Sequence, residues 1–213
     1  MLARRPARLA LAAALLVLLA PLVVAGCSSG PAFTAYPGGA GSLPPVGQAD
    51  TAYDPARPAP ALQLTDQGGR PFDLASLRGT PVFVYFGYTH CPDVCPTTLV
   101  DLRTAIAASG VPARVVFVSV DPARDTPAAL KTYLDAYKAG FIGLTGTADQ
   151  IAAVAKAWGV GYQADSPDAK GDYAVTHTAE AFLVDGAGML RDHIPFDTST
   201  DVVSSLLRAA SAN

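Results

Sequence analysis

The sequence predicts an α/β domain built on a mixed sheet, and three observations support this prediction. Two continuous apolar runs, at residues 82–86 and 115–120, have the composition of strands that are buried on both faces. Between them, apolar residues recur at helical spacing from about residue 97 to about residue 108, which completes a strand–helix–strand unit. Later in the chain, the turn residues Asp185-Gly186-Ala187-Gly188 separate two further strand-like runs, so antiparallel strands are expected in the same sheet.

The remaining elements can be placed in chain order. Two short strands are expected at residues 61–65 and 71–74, separated by the Gly68-Gly69 turn. Thr126 and Pro127 are typical of the start of a helix, which would end near Lys138. The segments that follow are a weak strand at 141–144, an amphipathic helix at 148–158, strands near 181–184 and 189–194, and a helix over 200–210. Together these elements predict one folded domain over residues 61–213.

The composition excludes some classes of protein. The chain has 213 residues, of which 15% are charged, and a formal net charge of -3. Soluble domains usually contain about 25% charged residues. A nucleic-acid partner is not expected, because the balance is slightly acidic and the only cluster of basic residues is Arg4, Arg5 and Arg8.

The N-terminus has the pattern of a lipoprotein signal peptide. The basic cluster precedes an uncharged apolar run over residues 9–26, and the run ends in Val24-Ala25-Gly26-Cys27, which resembles a bacterial lipobox. We predict cleavage after residue 26 and a lipid anchor on the Cys27 sulfur. An uncleaved signal anchor is the alternative, because the run is close to the length of a membrane-spanning helix. Either interpretation predicts that the rest of the chain lies at the extracytoplasmic face of the cell membrane.

A tether is expected between the anchor and the domain. Residues 28–60 contain 7 Pro and 5 Gly, and no charged residue precedes Asp50. Such a segment buries too little apolar surface to offset its ordering entropy, so we predict a flexible tether over residues 27–60. An ordered extension packed on the domain is the alternative for its last ten residues.

Two cysteines lie between the first buried strand and the helix that follows it. Cys91 and Cys95 are four residues apart, and a helix N-terminus favours anions, which predicts a lowered pKa for one or both thiols. The pair can form a disulfide in an oxidising compartment or supply two soft thiolates to one metal ion. A permanent structural disulfide is the other alternative, although the short loop that it would close gains little stability.

Three segments resemble the Sco/SenC family. Residues 86–99 read FGYTHCPDVCPTTL, residues 119–127 read SVDPARDTP, and residues 172–178 read DYAVTHT, at the position of the family's histidine. The resemblance extends from about residue 62 to about residue 207. It implies a thioredoxin-like three-layer fold with a central mixed sheet flanked by helices. It also implies copper binding and a role in assembling the copper A centre of cytochrome c oxidase.

The resemblance places the copper ligands at Cys91, Cys95 and His177. Two thiolates and one imidazole form a soft, low-coordinate set that suits Cu(I), and the imidazole also suits Cu(II). The family usually has an acidic residue before this histidine, where the present sequence has Thr176. Glu180 is a candidate for the missing acidic role, which would be to orient or tune the imidazole.

Other polar residues near these motifs have simpler interpretations. In the family pattern, His90 is a motif residue outside the metal set. His193 is expected to be solvated on a late strand, and Asp93 to be exposed between the cysteines. Asp121 and Asp125 match the family pattern, but aspartate beside proline and near a helix start is also ordinary turn chemistry.

The leading functional hypothesis is a copper metallochaperone rather than an enzyme. Its expected partners are the copper A subunit of cytochrome c oxidase, other extracytoplasmic copper chaperones, thiol reductants and the membrane. The alternative is a thiol–disulfide oxidoreductase that uses Cys91 and Cys95 as its redox-active pair. His177 separates the two, because metal binding needs it and disulfide exchange does not.

Three other classes fit poorly. A peroxiredoxin-like peroxidase would need Pro and Thr where the chain has Val84 and Tyr88. A closed structural zinc site would need a fourth good ligand. A flavin or nicotinamide site would need a Gly-rich phosphate loop after a strand.

Overall fold

A computed structural model describes residues 51–212 of the chain. The predicted signal peptide (1–26), the Cys27 anchor and most of the predicted tether lie outside the described residues. Between residues 51 and 212, no helix has both the length and the apolar character needed to cross a bilayer. The strands and helices are β1 (Ala52–Pro58), β2 (Gln63–Asp66), β3 (Pro71–Asp73), β4 (Val82–Gly87), α1 (Val94–Ser109), β5 (Arg114–Ser119), α2 (Pro127–Asp135), β6 (Ile142–Thr145), α3 (Ala148–Trp158), β7 (Tyr162–Ala164), β8 (Val175–His177), β9 (Glu180–Val184), β10 (Met189–Pro195) and α4 (Thr200–Ser211).

The sheet is mixed, as predicted. Its eight strands follow the order β1-β10-β9-β4-β5-β6-β2-β3. The central strands β4, β5 and β6 are parallel, and β9, β10, β1, β2 and β3 add antiparallel pairings on both sides. Strands β7 and β8 form a separate two-stranded ribbon. Parallel strands β4 and β5 therefore end at the same edge of the sheet, and this edge holds the Cys pair.

Helices cover both faces of the sheet. Successive residues of β4 point to opposite faces, so Tyr85 and Phe86 pack against different helices. The Tyr85 ring contacts Phe117 of β5, which in turn contacts Tyr133 of α2. On the opposite face, the Phe86 ring contacts Trp158 of α3. Helices α1 and α4 pack on each other, and α1 lies on the same face as α2. The expected three-layer arrangement is confirmed.

The helix starts follow the predicted capping chemistry, with one shift. Thr126 accepts a hydrogen bond from the Ala129 amide, and Pro127 is the first residue of α2. Helix α1 begins at Val94, three residues before the predicted start, with Pro96 in its first turn. Proline is tolerated there because the first amides of a helix have no intrahelical partner. Cys95 is therefore part of the helix rather than of the loop.

Strand β1 lies within the segment predicted as tether. Ala52–Pro58 pairs antiparallel with β10, so the alternative of an ordered extension holds for these residues. The strand was missed because most of its side chains are exposed and it contains two prolines, which an edge strand tolerates. The short strands β7 and β8 were also not predicted. Each strand has only three residues, and the ten residues between them (165–174) exceed the length of a tight hairpin turn.

Candidate metal centre

Cys91 and Cys95 lie where β4 ends and α1 begins. Cys95 is the second residue of α1 and is fully buried, whereas Cys91 lies in the preceding turn and is half-buried. The absence of a side chain at Gly87 makes room for the buried thiol. A Cβ atom at this position would lie 2.9 Å from the Cys95 sulfur and 2.8 Å from the Phe117 ring. The glycine after the apolar run thus lets α1 approach the end of β4 closely.

The third candidate ligand comes from the β7–β8 ribbon. His177 ends β8, and its Nε2 lies 3.5 Å from the Cys95 sulfur. On the other side of the ring, Nδ1 lies 3.0 Å from the Thr178 carbonyl oxygen. A carbonyl only accepts hydrogen bonds, so Nδ1 bears the proton and Nε2 presents its lone pair to the sulfur atoms. A backbone contact therefore fixes the tautomer that a metal ion needs.

The structure brings the three residues together as one group, which we call the Cys-His cluster (Cys91, Cys95 and His177). Their ligand atoms all lie within 4.8 Å of one another. The donor set is two sulfurs and one imidazole nitrogen, which fits copper better than hard cations that prefer oxygen. Cys91 is half-buried and Cys95 is buried, so Cys91 is the more accessible of the two sulfurs.

Burial controls the protonation of the inner two ligands. It raises the pKa of the Cys95 thiol to about 12, against the opposing effect of the Tyr88 backbone. The expectation of a lowered pKa is therefore wrong for Cys95, because desolvation outweighs the helix N-terminus. Burial also lowers the pKa of His177. The metal-free cluster thus contains a neutral thiol and a neutral imidazole, and metal binding at Cys95 must displace a proton.

The outer sulfur lies in a more polar environment. The Cys95 amide donates a hydrogen bond to the Cys91 sulfur, at 3.3 Å. This amide is one of the first in α1, and such amides have no carbonyl partner within the helix. Because Cys91 is half-buried and Cys95 is buried, Cys91 is the more accessible nucleophile of the two.

A second group with ligand-type residues adjoins the first, and we call it the His-Asp cluster (His90, Asp121 and Asp125). Its ligand atoms also lie within 4.8 Å of one another. Asp125 is fully buried and accepts three hydrogen bonds, from the Thr89 amide at 3.0 Å, the Thr89 hydroxyl at 2.6 Å and the Ser119 hydroxyl at 2.7 Å. These three hydrogen bonds occupy both oxygen atoms of the Asp125 carboxylate. The cluster therefore supports the fold instead of offering a cation site.

Asp121 links the same loop to the segment before β8. It accepts a hydrogen bond from Arg124 at 2.5 Å and another from the Tyr173 hydroxyl at 2.8 Å. The Arg124 guanidinium also lies 3.6 Å from the centre of the Tyr173 ring. The β5–α2 loop thus contacts the two segments that carry the Cys-His cluster. It contacts Thr89, which precedes the two cysteines, and Tyr173, which precedes His177. The sequence left both aspartates open between a family motif and ordinary turn residues, and the segment SVDPARDTP was the signal for the role that the structure shows.

The remaining sequence-predicted residues lie outside the Cys-His cluster. Asp93 is exposed, as expected, and Thr176 is exposed on the ribbon opposite Gln163. Glu180 lies 3.6 Å from His193, so its carboxylate is directed to that histidine. His193 also packs against the Tyr53 ring, which makes it a partly buried residue instead of a solvated one.

Comparison with known proteins identifies the family. The model of the SCO1/SenC family matches residues 51–211 of this sequence. The chain belongs to the SCO1/SenC family. A family relative in Stutzerimonas stutzeri, named as a candidate copper-binding protein, is 41% identical over 155 residues, which cover 71% of this chain and 76% of the relative. The mitochondrial protein SCO2 of Saccharomyces cerevisiae is 39% identical over 150 residues, so the match covers 68% of this chain and 50% of the yeast protein.

Solved structures of Sco proteins show the same fold. Bradyrhizobium japonicum ScoI, solved with copper bound, is 36% identical with a TM-score of 0.64, over 73% of this chain and 100% of that chain. Arabidopsis thaliana ScoI, also solved with copper bound, is 30% identical with a TM-score of 0.66, over 70% of this chain and 95% of that chain. The predicted thioredoxin-like fold is confirmed. The prediction of a copper-binding Sco/SenC protein is confirmed at the level of the family.

Proposed function

We propose that this protein is a membrane-anchored, extracytoplasmic copper metallochaperone that delivers one copper ion to the copper A site of cytochrome c oxidase. The observation that supports this most is the Cys-His cluster, in which two sulfurs and one imidazole nitrogen lie within 4.8 Å of one another. The set has too few ligands to close a structural zinc site, and it has the softness that copper prefers. The copper ion is the cargo of the protein.

The cluster suits a metal that must be passed on. His177 presents a neutral Nε2, held by the Thr178 carbonyl, so no reorganisation of the ring precedes binding. Cys95 gives up its proton on binding, which makes loading depend on pH. Cys91 is the accessible ligand, so a thiolate of a partner can enter at this side and replace it first. Stepwise exchange of ligands would then release the ion.

The membrane anchor is supported by the sequence alone. The basic start, the apolar run and Val24-Ala25-Gly26-Cys27 match a lipoprotein signal, and the Pro- and Gly-rich segment after Cys27 suits a tether. The acceptor is supported by the family resemblance of residues 86–99, which implies assembly of the copper A centre.

Copper titration tests this function. Reduced full-length protein in mild detergent, free of oxygen, should bind one Cu(I) per chain in competition with a Cu(I) chelator. Cys91→Ser and Cys95→Ser should lose this binding, and His177→Ala should weaken it by at least tenfold. His193→Ala is the matched control. His193 lies outside the cluster, so this variant should bind Cu(I) as the wild type does. Equal binding by the wild type and the two Cys variants would contradict the proposal.

A thiol–disulfide oxidoreductase is the second candidate, because the accessible Cys91 lies beside the buried Cys95. The Cys91 thiolate would attack a partner disulfide and release one partner thiolate, and Cys95 would then displace the other. The partner gains two electrons, and Cys91 and Cys95 become a disulfide. His177→Ala separates the two functions, since it should reduce a model disulfide at the wild-type rate while binding copper weakly.

A further inference from the structure

Tyr85 is a buried side chain whose hydroxyl group has no role in the metal-free fold. Tyr85 lies in the middle of β4 and is 0% exposed. Its hydroxyl is buried as well, and no group within residues 51–212 forms a hydrogen bond with it. Leaving a buried hydroxyl unpaired costs about 1–3 kcal/mol, and most buried polar groups are paired, so this exception needs an explanation.

The position of Tyr85 relates it to the Cys-His cluster. Tyr85 and Gly87 point to the same face of β4, and the Cys95 sulfur lies against Gly87 and the Phe117 ring. The Tyr85 ring contacts both Phe117 and His177, with ring centres 6.1 Å and 6.2 Å apart. Tyr85 therefore lies beneath the cluster, in contact with the surroundings of both inner ligands.

The Tyr85 hydroxyl faces two side chains at the start of α1, namely Cys95 and Thr98. The Thr98 hydroxyl donates to the Val94 carbonyl, at 2.8 Å. A protonated cysteine thiol is only a weak hydrogen-bond acceptor. A copper-bound sulfur is a thiolate and a much better acceptor, because it bears negative charge.

We propose that Tyr85 is a positioning residue for copper, whose hydroxyl donates a hydrogen bond to the Cys95 sulfur once copper is bound there. The inference rests on the proposed function and deepens it, since it names a residue outside the ligand set that acts on one ligand. Hydrogen bonds to a ligand sulfur lower its electron donation to the metal and raise the reduction potential of a copper site. Tyr85 thus favours Cu(I) over Cu(II) in the loaded protein.

The test compares Tyr85→Phe with two control variants in the full-length protein. Tyr133→Phe is the matched control, because Tyr133 also contacts Phe117 but its hydroxyl is paired with that of Tyr137 at 3.1 Å. Thr98→Val removes the other group that the Tyr85 hydroxyl faces. Each protein is reduced, loaded with Cu(II) and measured for the sulfur-to-copper charge-transfer band. The metal-free proteins are unfolded with denaturant in parallel.

Tyr85→Phe should be at least as stable as the wild type without metal, because it removes an unpaired polar group. With Cu(II), its charge-transfer band should move to longer wavelength and its reduction potential should fall. Tyr133→Phe should show the opposite pattern, with lower metal-free stability and an unchanged band. Thr98→Val should also leave the band unchanged.

Three outcomes would overturn the inference. An unshifted band in copper-loaded Tyr85→Phe would show that the hydroxyl does not contact the sulfur. A shift of equal size in Thr98→Val would show that Tyr85 acts on Thr98. A Tyr85→Phe protein that does not fold would show that the hydroxyl has a structural role. A wild type without any charge-transfer band would also overturn the inference, and only a wild type that fails to bind Cu(I) would overturn the proposed function.

Discussion

The Cys-His cluster and the His-Asp cluster lie side by side, and both contain residue types that bind metals. In the His-Asp cluster, Asp125 already accepts three hydrogen bonds, and Asp121 is paired with Arg124 and Tyr173. In the Cys-His cluster, the Cys91 sulfur accepts one hydrogen bond from a backbone amide, and the Cys95 sulfur lies 3.5 Å from the His177 ring nitrogen. A group of ligand-type residues therefore predicts a metal site only where its lone pairs are still available.

The two clusters also have different roles at the site. The His-Asp cluster fixes the β5–α2 loop against the turn that holds the cysteines and against the segment that precedes His177. Its hydrogen bonds exist without metal, so its loss should appear in the stability of the metal-free protein. The loss of a Cys-His ligand should appear in metal binding. The following predictions use this difference.

The largest effect on stability is expected for Asp125→Asn. The amide group of asparagine cannot accept from all three donors, and it directs its own N–H groups at some of them. We expect the metal-free protein to lose about 2–4 kcal/mol of unfolding free energy, measured by denaturant unfolding. Asp93→Asn, an exposed change in the same turn, should stay within about 0.5 kcal/mol of the wild type. Equal small losses in both variants would show that the His-Asp cluster does not hold the turn.

The next effect separates the clusters through copper itself. A ligand at 100 times its Kd stabilises a folded protein by about 2.7 kcal/mol, provided that it does not bind the unfolded chain. Excess Cu(I) should therefore stabilise the wild type clearly. His177→Ala should unfold like the wild type without metal, to within about 1 kcal/mol, but should lose about 1.4 kcal/mol of the stabilisation by copper for each tenfold loss of affinity. Equal stabilisation of the two proteins would exclude His177 as a ligand.

A smaller effect is expected for Tyr173→Phe, which removes the hydrogen bond to Asp121. The unfolding free energy should fall by about 1 kcal/mol. Because Tyr173 precedes β8, hydrogen exchange should also become faster at the amides of β7 and β8, whereas exchange in the central strand β4 should not change. Uniformly faster exchange would indicate a global loss of stability instead of a local one.

The smallest effect concerns a buried carboxylate with few partners. Asp192 accepts one long hydrogen bond from Thr51, at 3.3 Å, and burial raises its pKa although Arg191 and His193 lie nearby. The folded protein thus retains this proton to a higher pH than the unfolded chain. The stability that this preference contributes is present below the unfolded pKa of about 4 and is lost as the pH rises through the folded pKa.

Asp192→Asn should remove this loss of stability at rising pH. The unfolding free energy of the variant, relative to that of the wild type, should increase by up to about 1 kcal/mol between about pH 4 and about pH 7. Denaturant unfolding across this range measures the difference. A difference that falls with rising pH would mean that the fold stabilises Asp192 as a carboxylate, contrary to this prediction.

Local patterns in the sequence predicted most of the fold. The apolar runs at β4 and β5 and the cap at Thr126 act over a few residues, and the structure contains them. Strand β1 was missed because it is an edge strand with little apolar pattern. The ribbon β7–β8 was missed because each strand has only three residues, too few for a periodic pattern.

The site could be predicted only in part, for a similar reason. The Cys pair is a local motif, but the distance from Cys95 to His177 spans 82 residues of sequence and was expected from the family resemblance. The contacts of Asp125 with Thr89 and of Asp121 with Tyr173 are just as long-range, so their local pattern suggested turns. The raised pKa of Cys95 follows from burial by the whole fold. The sequence showed only the helix N-terminus, which predicted a lowered pKa for this thiol.

The central claim is that copper binds the Cys-His cluster and not the His-Asp cluster. X-ray absorption at the copper edge tests this claim most directly. The reduced full-length protein would be loaded with one Cu(I) per chain. We predict a first shell of two sulfurs and one imidazole nitrogen, which loses the nitrogen in His177→Ala and is unchanged in His90→Ala. A first shell of nitrogen and oxygen atoms only, or one that changes in His90→Ala instead, would contradict the account.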